Sequence, residues 1–368
     1  MKTPQEKLPT PDPSRGTHTT KNHDGLFELI RELVMRHSPS GIERDIDELL
    51  KTQFERLGFA AHSDACGNLF VKIPGENGRS LAITAHKDEI GVIVTAVEEE
   101  GRLKVRNLGG SFPWVYGEGV VDLLGDSDCV SGVLSFGSRH VSHASPQHAQ
   151  KDIAPLRWAD AWVETKLSTA ELGEAGVRPG TRAVVGRHRK APFRLKDHIA
   201  SYTLDNKASL AILLQLAKRL KSPQPDVYLV ASAKEEIGAV GALYFSQRQK
   251  LDALIALEIA PIAAEYSIVD GAAPVLLAQD GHGLYDESLN DSIRRASAKC
   301  KIPLQLATIS GFGSDGSIAM KAGHVPRAAC LGFPTQNTHG YEIAHLGAIS
   351  NCIEILEAVC QDAFSWGI

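Results

Sequence analysis

Apolar side chains recur every three to four residues near the start of the chain. Leu26, Leu29, Ile30 and Leu33 share one face of a predicted helix. "SPSG" breaks that pattern, and a second helix is expected from about Glu43 to Leu57. "NLFVKIPG" and "SLAITAHKDEIGVIVTAV" then read as strands, parted by the turn-rich "GENGR". From about 92 to 190 the rhythm shortens. Apolar runs such as "GVVDLL", "SGVLSF" and "RAVVG" alternate with glycine turns, around one polar helical piece near "LSTAELGEAG". Beyond about 195, helical segments again alternate with apolar strands: "NKASLAILLQLAKRLK", "DVYLVASA", "GAVGALYFSQRQ", "ALIALEIA", "DESLNDSIRRASAKC", "LQLATI" and "GAISNCIEILEAVCQDA".

Alternation of that kind predicts an α/β fold whose mixed central sheet is covered by helices on both faces. The simplest organisation has a mobile N-terminal extension over 1–24, an α/β domain built from 25–91 and 191–368, and an inserted small β-rich domain over 92–190. The segment "SLAILLQLAKRL", broken by charge, is expected to form an amphipathic helix. No internal repeat is visible.

Composition adds exclusions. A chain of 368 residues with a net charge of −5 gives no reason to expect nucleic acid or an anionic membrane as partner. No run approaches the roughly 20 apolar residues of a membrane span. The N-terminal segment is rich in proline and charge and has no apolar core, so no secretory signal is expected. Six scattered cysteines without a CxxC pair read as reduced thiols in a cytoplasmic protein.

Ligands of open α/β sheets bind beyond the carboxyl ends of the strands. His86 and Asp88 follow "LAITA", Asp205 follows "HIASYTL", and Glu235 and Glu236 follow "VYLVASAK". Glu258 lies near the end of "ALIALEIAP", and His339 follows "AACLGFPTQNT". Taken singly, these residues have ordinary explanations: Asp205 suits a helix N-cap, and paired glutamates suit a helix start. Together, five strand ends deliver histidines and carboxylates, the donor set of zinc, cobalt or manganese. Two ions sharing a bridging carboxylate would offset the excess of acids over histidines.

The wording of these segments is specific. "AHKDEIG", "LDNKAS", "KEEIGAVGA" and "NTHGYE" resemble, in order and approximate spacing over about 25–365, the signatures of the glutamyl/leucyl aminopeptidases with a co-catalytic metal pair. "SGIE" and "GSDG" also resemble segments of that family. The resemblance implies a zinc-peptidase-like catalytic domain and two divalent ions per chain, zinc first, with cobalt or manganese as alternatives. His86 and Glu258 would bind one ion, Glu236 and His339 the other, and Asp205 would bridge them. Asp88 would orient the His86 imidazole. Glu235 would be the general base that takes a proton from the water activated by the two metals. The activity implied is removal of N-terminal residues from peptides, by a homo-oligomer whose β-rich insert serves dimerisation and whose dimers assemble to a dodecamer.

Two departures stand out. Glutamate at 258 replaces the aspartate usual in the family, and its extra methylene moves the carboxylate by about 1.5 Å. "PTQNTH" also lacks the Arg-Tyr pair usual before the histidine. The same ions would equally serve a deacylase, carboxypeptidase or dipeptidase, and an impaired first site would leave a non-catalytic relative. A two-carboxylate glycosidase would leave the histidines unused. His140, His143 and His148 form a further cluster, read first as a polar mobile loop of the inserted domain, with an auxiliary metal site or a lid reaching a neighbouring subunit's active site as alternatives. Lys87 and Lys207 also sit inside the motifs, and Lys207 is expected to be structural or a hydrogen-bond partner to the site.

Overall fold

The structure is a computed structural model that describes residues 23–138, 140–144, 148 and 154–362. The expected extension therefore lies almost wholly outside the described residues. After two helices, Asp24–Val34 and Arg44–Arg56, come three strands: β1 (His62–Ser63), β2 (Leu69–Ile73) and β3 (Ser80–His86). Six follow: β4 (Gly91–Val97), β5 (Arg102–Leu108), β6 (Gly119–Leu124), β7 (Cys129–Ser135), β8 (Trp162–Glu164) and β9 (Arg182–Val185). The remainder are β10 (Phe193–Leu195), β11 (His198–Ser201), β12 (Asp226–Ser232), β13 (Ala253–Pro261), β14 (Val275–Asp280), β15 (Gly283–Leu284), β16 (Gln305–Thr308), β17 (Ala328–Gln336) and β18 (Glu342–His345).

Strands β4–β9 close an antiparallel barrel, and the others form one mixed sheet of 12 strands. At the centre of that sheet β12, β3, β13 and β17 run parallel, as helical crossovers require. Ser232 pairs with His86, and Glu258 with Gly332, so the carboxyl ends of all four strands meet at one edge. β14, β15 and β16 extend the sheet beside β17. The expected α/β class with a β-rich unit is the architecture found.

Alternate residues of the central strands supply two apolar cores. Leu81, Ile83, Val227, Leu229, Ile255 and Leu257 face the helices Asp24–Val34, Arg44–Arg56, Leu204–Arg219 and Leu346–Gln361. Ala82, Val230, Leu254 and Ala256 face the helices Val240–Arg248 and Asp315–Lys321. His86 and Glu258 share the parity of this second set, so both project to the same face.

One expectation is corrected. The helix Leu204–Arg219 is not an amphipathic surface helix: 13 of its residues, Lys207 and Ser209 among them, are buried. The terminal helices Asp24–Val34 and Leu346–Gln361 pack over it and remove its polar face from water. Its lysine is satisfied internally, since Lys207 Nζ donates to the Arg36 carbonyl at 2.6 Å and to Glu89 at 3.2 Å. Lys87 is likewise fully buried, and donates to Asp47 and to the Gly67 carbonyl.

Candidate metal centre

The first ligand-type residue, His86, ends β3 and is 2 % exposed. Its Nε2 lies 2.9 Å from Asp205 Oδ1 and 3.9 Å from oxygens of both Glu235 and Glu258. Its Nδ1 lies 3.1 Å from the Asp88 carbonyl oxygen and 3.5 Å from the Asp88 carboxylate. The main work of that carboxylate is elsewhere. It accepts the backbone N–H groups of Glu235 at 2.9 Å and Glu236 at 3.2 Å, and the Ser40 hydroxyl at 2.6 Å. Asp88 thus fixes the turn that carries the two glutamates.

That turn explains the glycines of "EEIGAVGA". Gly238 adopts φ +112°, a left-handed conformation costly for any side chain. A Cβ on Gly241 would lie 2.3 Å from both the Ala233 carbonyl and Asn68 Oδ1. The glycines let the chain double back, and the two acids leave the strand in different directions.

Asp205 sits in the first turn of its helix with non-helical torsions, joined to Asn206 by a cis peptide bond. Its second oxygen lies 3.5 Å from His339 Nε2, which is 3.7 Å from Glu236. His339 itself has φ +63°. It is held from two sides: its backbone N–H donates to Glu342 at 3.0 Å, and Nδ1 lies 2.9 Å from the carbonyl oxygen of Gly110, in the loop leaving β5 of the barrel.

Two groups of ligand atoms result, each within 4.8 Å: His86, Asp205 and Glu258, and Asp205, Glu236 and His339. Asp205 belongs to both. The residues predicted as ligands are therefore brought together, with Glu235 beside them, at the floor of a cleft of about 500 Å³. The departure at position 258 does not remove its carboxylate from the group. His143 and His148 stack edge to face at 4.8 Å in the barrel segment, and they are not in either group.

Electrostatics test whether cations suit this set. Burial pushes the carboxyl groups of Glu235 and Glu258 well above the usual carboxylate range, with neighbouring acids adding to the effect. Burial takes Glu236 up to about 7. Burial would also raise Asp205, but hydrogen bonds from His339 and His86 hold it well below its ordinary value. Burial opposes protonation of His339, yet Glu236 and Asp205 bring it up to about 10. Two divalent ions would supply the positive charge that protons must otherwise supply, so donor type and charge both fit.

Two residues escaped the sequence reading of roles. Glu342, 1 % exposed, accepts the backbone N–H of Asp205 as well as that of His339. Asp315, also 1 % exposed, heads its helix and accepts the Ser232 hydroxyl at 2.5 Å. The motifs "NTHGYE" and "GSDG" contained them, but a carboxylate that serves backbone amides, as Glu342 does, or a hydroxyl on a strand, as Asp315 does, leaves no spacing signal.

Known proteins resemble the chain along nearly its whole length. A lysyl aminopeptidase of Pyrococcus furiosus is 24% identical over 348 residues, covering 91% of this chain and 97% of its own. A glutamyl aminopeptidase of Lactococcus lactis is 24% identical over 333 residues, covering 86% and 90%. Among solved structures, the Pyrococcus horikoshii TET1 peptidase, described as assembling into a tetrahedron or a large octahedral shell, superimposes with TM-score 0.82 at 23% identity, over 92% of this chain and 99% of that one. The model of the M42 glutamyl aminopeptidase family matches residues 67–355. That match spans the barrel, the turn held by Asp88 and both ligand groups, and the chain belongs to the M42 glutamyl aminopeptidase family of peptide-bond hydrolases.

Proposed function

We propose that the protein is a metal-dependent aminopeptidase that removes N-terminal residues from peptides, with Glu235 as general base. The observation that carries this reading is the sharing of Asp205 by two ligand groups beside Glu235. His86, Asp205 and Glu258 would hold one ion, and Asp205, Glu236 and His339 the second. Zinc suits the donors best, with cobalt or manganese as alternatives. Bound there, the ions would supply Lewis acidity that activates a water and polarises a peptide carbonyl.

The chain's own groups do the rest. Glu235 faces the cleft with a side chain 12% exposed, close enough to His86 to share the cluster's field. Its carboxylate takes a proton from the attacking water and hands it to the departing amine. Asp88 keeps Glu235 and Glu236 diverging through their backbone amides. Glu342 keeps Asp205 and His339 in register by the same device. The free amine of the substrate would bind among the acids of the cluster, which restricts cleavage to the first residue.

Residues 92–190 are proposed as an inserted unit for dimerisation, within a homo-oligomer that assembles to a dodecamer. Phe112 and Trp114, beside the barrel, are 61% and 65% exposed and stack on one another, as side chains awaiting a partner surface do. Among the described residues, no helix is long and apolar enough to cross a membrane. All six thiols are free, which agrees with a reducing cytoplasmic setting.

The test is metal analysis and turnover of aminoacyl anilides after reconstitution with zinc, cobalt and manganese. Two ions per chain with turnover are expected. Fewer than two ions, with no turnover on any substrate, would favour a non-catalytic relative.

A further inference from the structure

The cleft extends well past the carboxylate cluster. Besides the acids, three separate segments contribute a set of apolar residues, an apolar wall, to its lining. β13 provides Ile259 and Pro261, the loop after β16 provides Ile309 and Phe312, and the helix Asp315–Lys321 provides Ile318. All five side chains are apolar. Ile259 and Ile309 are buried, and Phe312 and Ile318 are half-buried with surface open to the cleft.

This wall is built before any substrate arrives. The Gly311 N–H donates to the Tyr266 hydroxyl at 3.1 Å, and the Gly281 N–H donates to the Phe312 carbonyl at 2.8 Å. The Ile309 N–H donates to the Gln279 carbonyl at 3.0 Å. Three ties along four residues hold the loop that presents Phe312, the condition for a pre-formed pocket.

Outside the carboxylate cluster, charge in the lining of the cleft is sparse. Beyond the cluster, its lining residues of the acidic or basic types are Glu265 and His282, both exposed. Among the described residues, no lysine or arginine lines the cleft to meet a substrate carboxylate. Glu265 would face a substrate ammonium through water, where an ion pair contributes little. Burying either charge against the five apolar side chains carries a desolvation penalty without a fixed partner. An apolar side chain there gains from the area that it removes from water.

We infer that this wall receives the side chain of the substrate's N-terminal residue, and that the enzyme prefers large apolar residues (leucine, isoleucine, methionine, phenylalanine) over lysine and glutamate. The inference rests on the aminopeptidase reading and deepens it. It separates this chain from the relatives whose names specify lysyl and glutamyl substrates.

The test uses the full zinc-reconstituted chain and compares kcat/KM on leucyl, phenylalanyl, lysyl and glutamyl 4-nitroanilides. A preference of at least about tenfold for the first two is expected, the discrimination that a methylene-scale difference in an apolar pocket supports. A lysyl or glutamyl optimum overturns the inference while leaving the peptidase reading intact. Absence of turnover on all four counts against the peptidase reading instead. Calorimetric binding of free leucine, phenylalanine, lysine and glutamate then decides the pocket, with the apolar pair binding more tightly if the inference holds. The variant Phe312→Lys is expected to raise the glutamyl rate relative to leucyl by about tenfold or more. Phe312→Ala is expected to raise KM for leucyl and phenylalanyl substrates with kcat nearly kept. Unchanged substrate profiles in both folded variants overturn the assignment.

Discussion

The carboxylate of Glu342 accepts the backbone N–H of Asp205 at 2.9 Å, and its other oxygen accepts that of His339 at 3.0 Å. One buried acid thereby ties the start of a helix to the turn after β17, and each of these two places carries a candidate ligand of the second group. Burial and the nearby Asp205 push Glu342 up to about 8, a cost that its two amide donors partly offset.

Glu342→Gln keeps the shape of the side chain but offers one carbonyl oxygen where two acceptors are needed. One backbone amide is then left unpaired, at about 1–3 kcal/mol. The expected result is a second-site metal affinity lower by about 10–100-fold, as for other residues that support ligands without touching the ion. Competition with a chromophoric chelator measures this directly. Unchanged affinity would show that Asp205 and His339 do not depend on Glu342.

Glu235→Gln removes the proton acceptor while its near-isosteric amide preserves packing. A fall in kcat of about 10²–10⁴ is expected, with metal content unchanged. Wild-type turnover in that variant would assign the proton transfer to another group.

Position 258 offers a separate handle. Glu258→Ala removes one ligand from the group formed with His86 and Asp205, and metal analysis should find one ion per chain instead of two. Glu258→Asp draws the carboxylate back by about 1.5 Å and should weaken that site without abolishing it. Two tightly held ions in the alanine variant would exclude Glu258 from coordination.

A pH effect is expected away from the centre. His37, 4 % exposed, has Nε2 at 3.0 Å from Asp122 and Nδ1 at 3.1 Å from Lys190 Nζ. Burial, reinforced by the Lys190 charge, lowers it from 6.5 to about 4. The unfolded chain therefore binds the extra proton first, and this contribution to stability is present above pH 6.5 and is lost as pH falls toward 4. The loss amounts to about 3 kcal/mol. Urea unfolding between pH 7 and 4 should show the decline, and His37→Gln should flatten it; an identical slope in the variant would exclude His37 as the source.

The parts of this site legible in the sequence are those that follow from strand geometry. His86, Glu236, Glu258 and His339 could be gathered because each ends or follows an apolar run, and parallel strands bring such ends to one edge. Glu342 and the principal contacts of Asp88 were not legible, because these carboxylates serve backbone amides brought near by folding. The burial of the helix Leu204–Arg219 was hidden for a related reason. Charge spacing along a helix says which face is polar, whereas whether two terminal helices cover that face is decided by the rest of the chain.

The most direct measurement follows a peptide of ten residues by mass spectrometry after zinc reconstitution, with its N-terminus either free or acetylated. A ladder of products shortened one residue at a time from the free N-terminus is expected, and no products from the acetylated peptide. Cleavage of the acetylated peptide, or shortening from the C-terminus, would contradict the aminopeptidase reading.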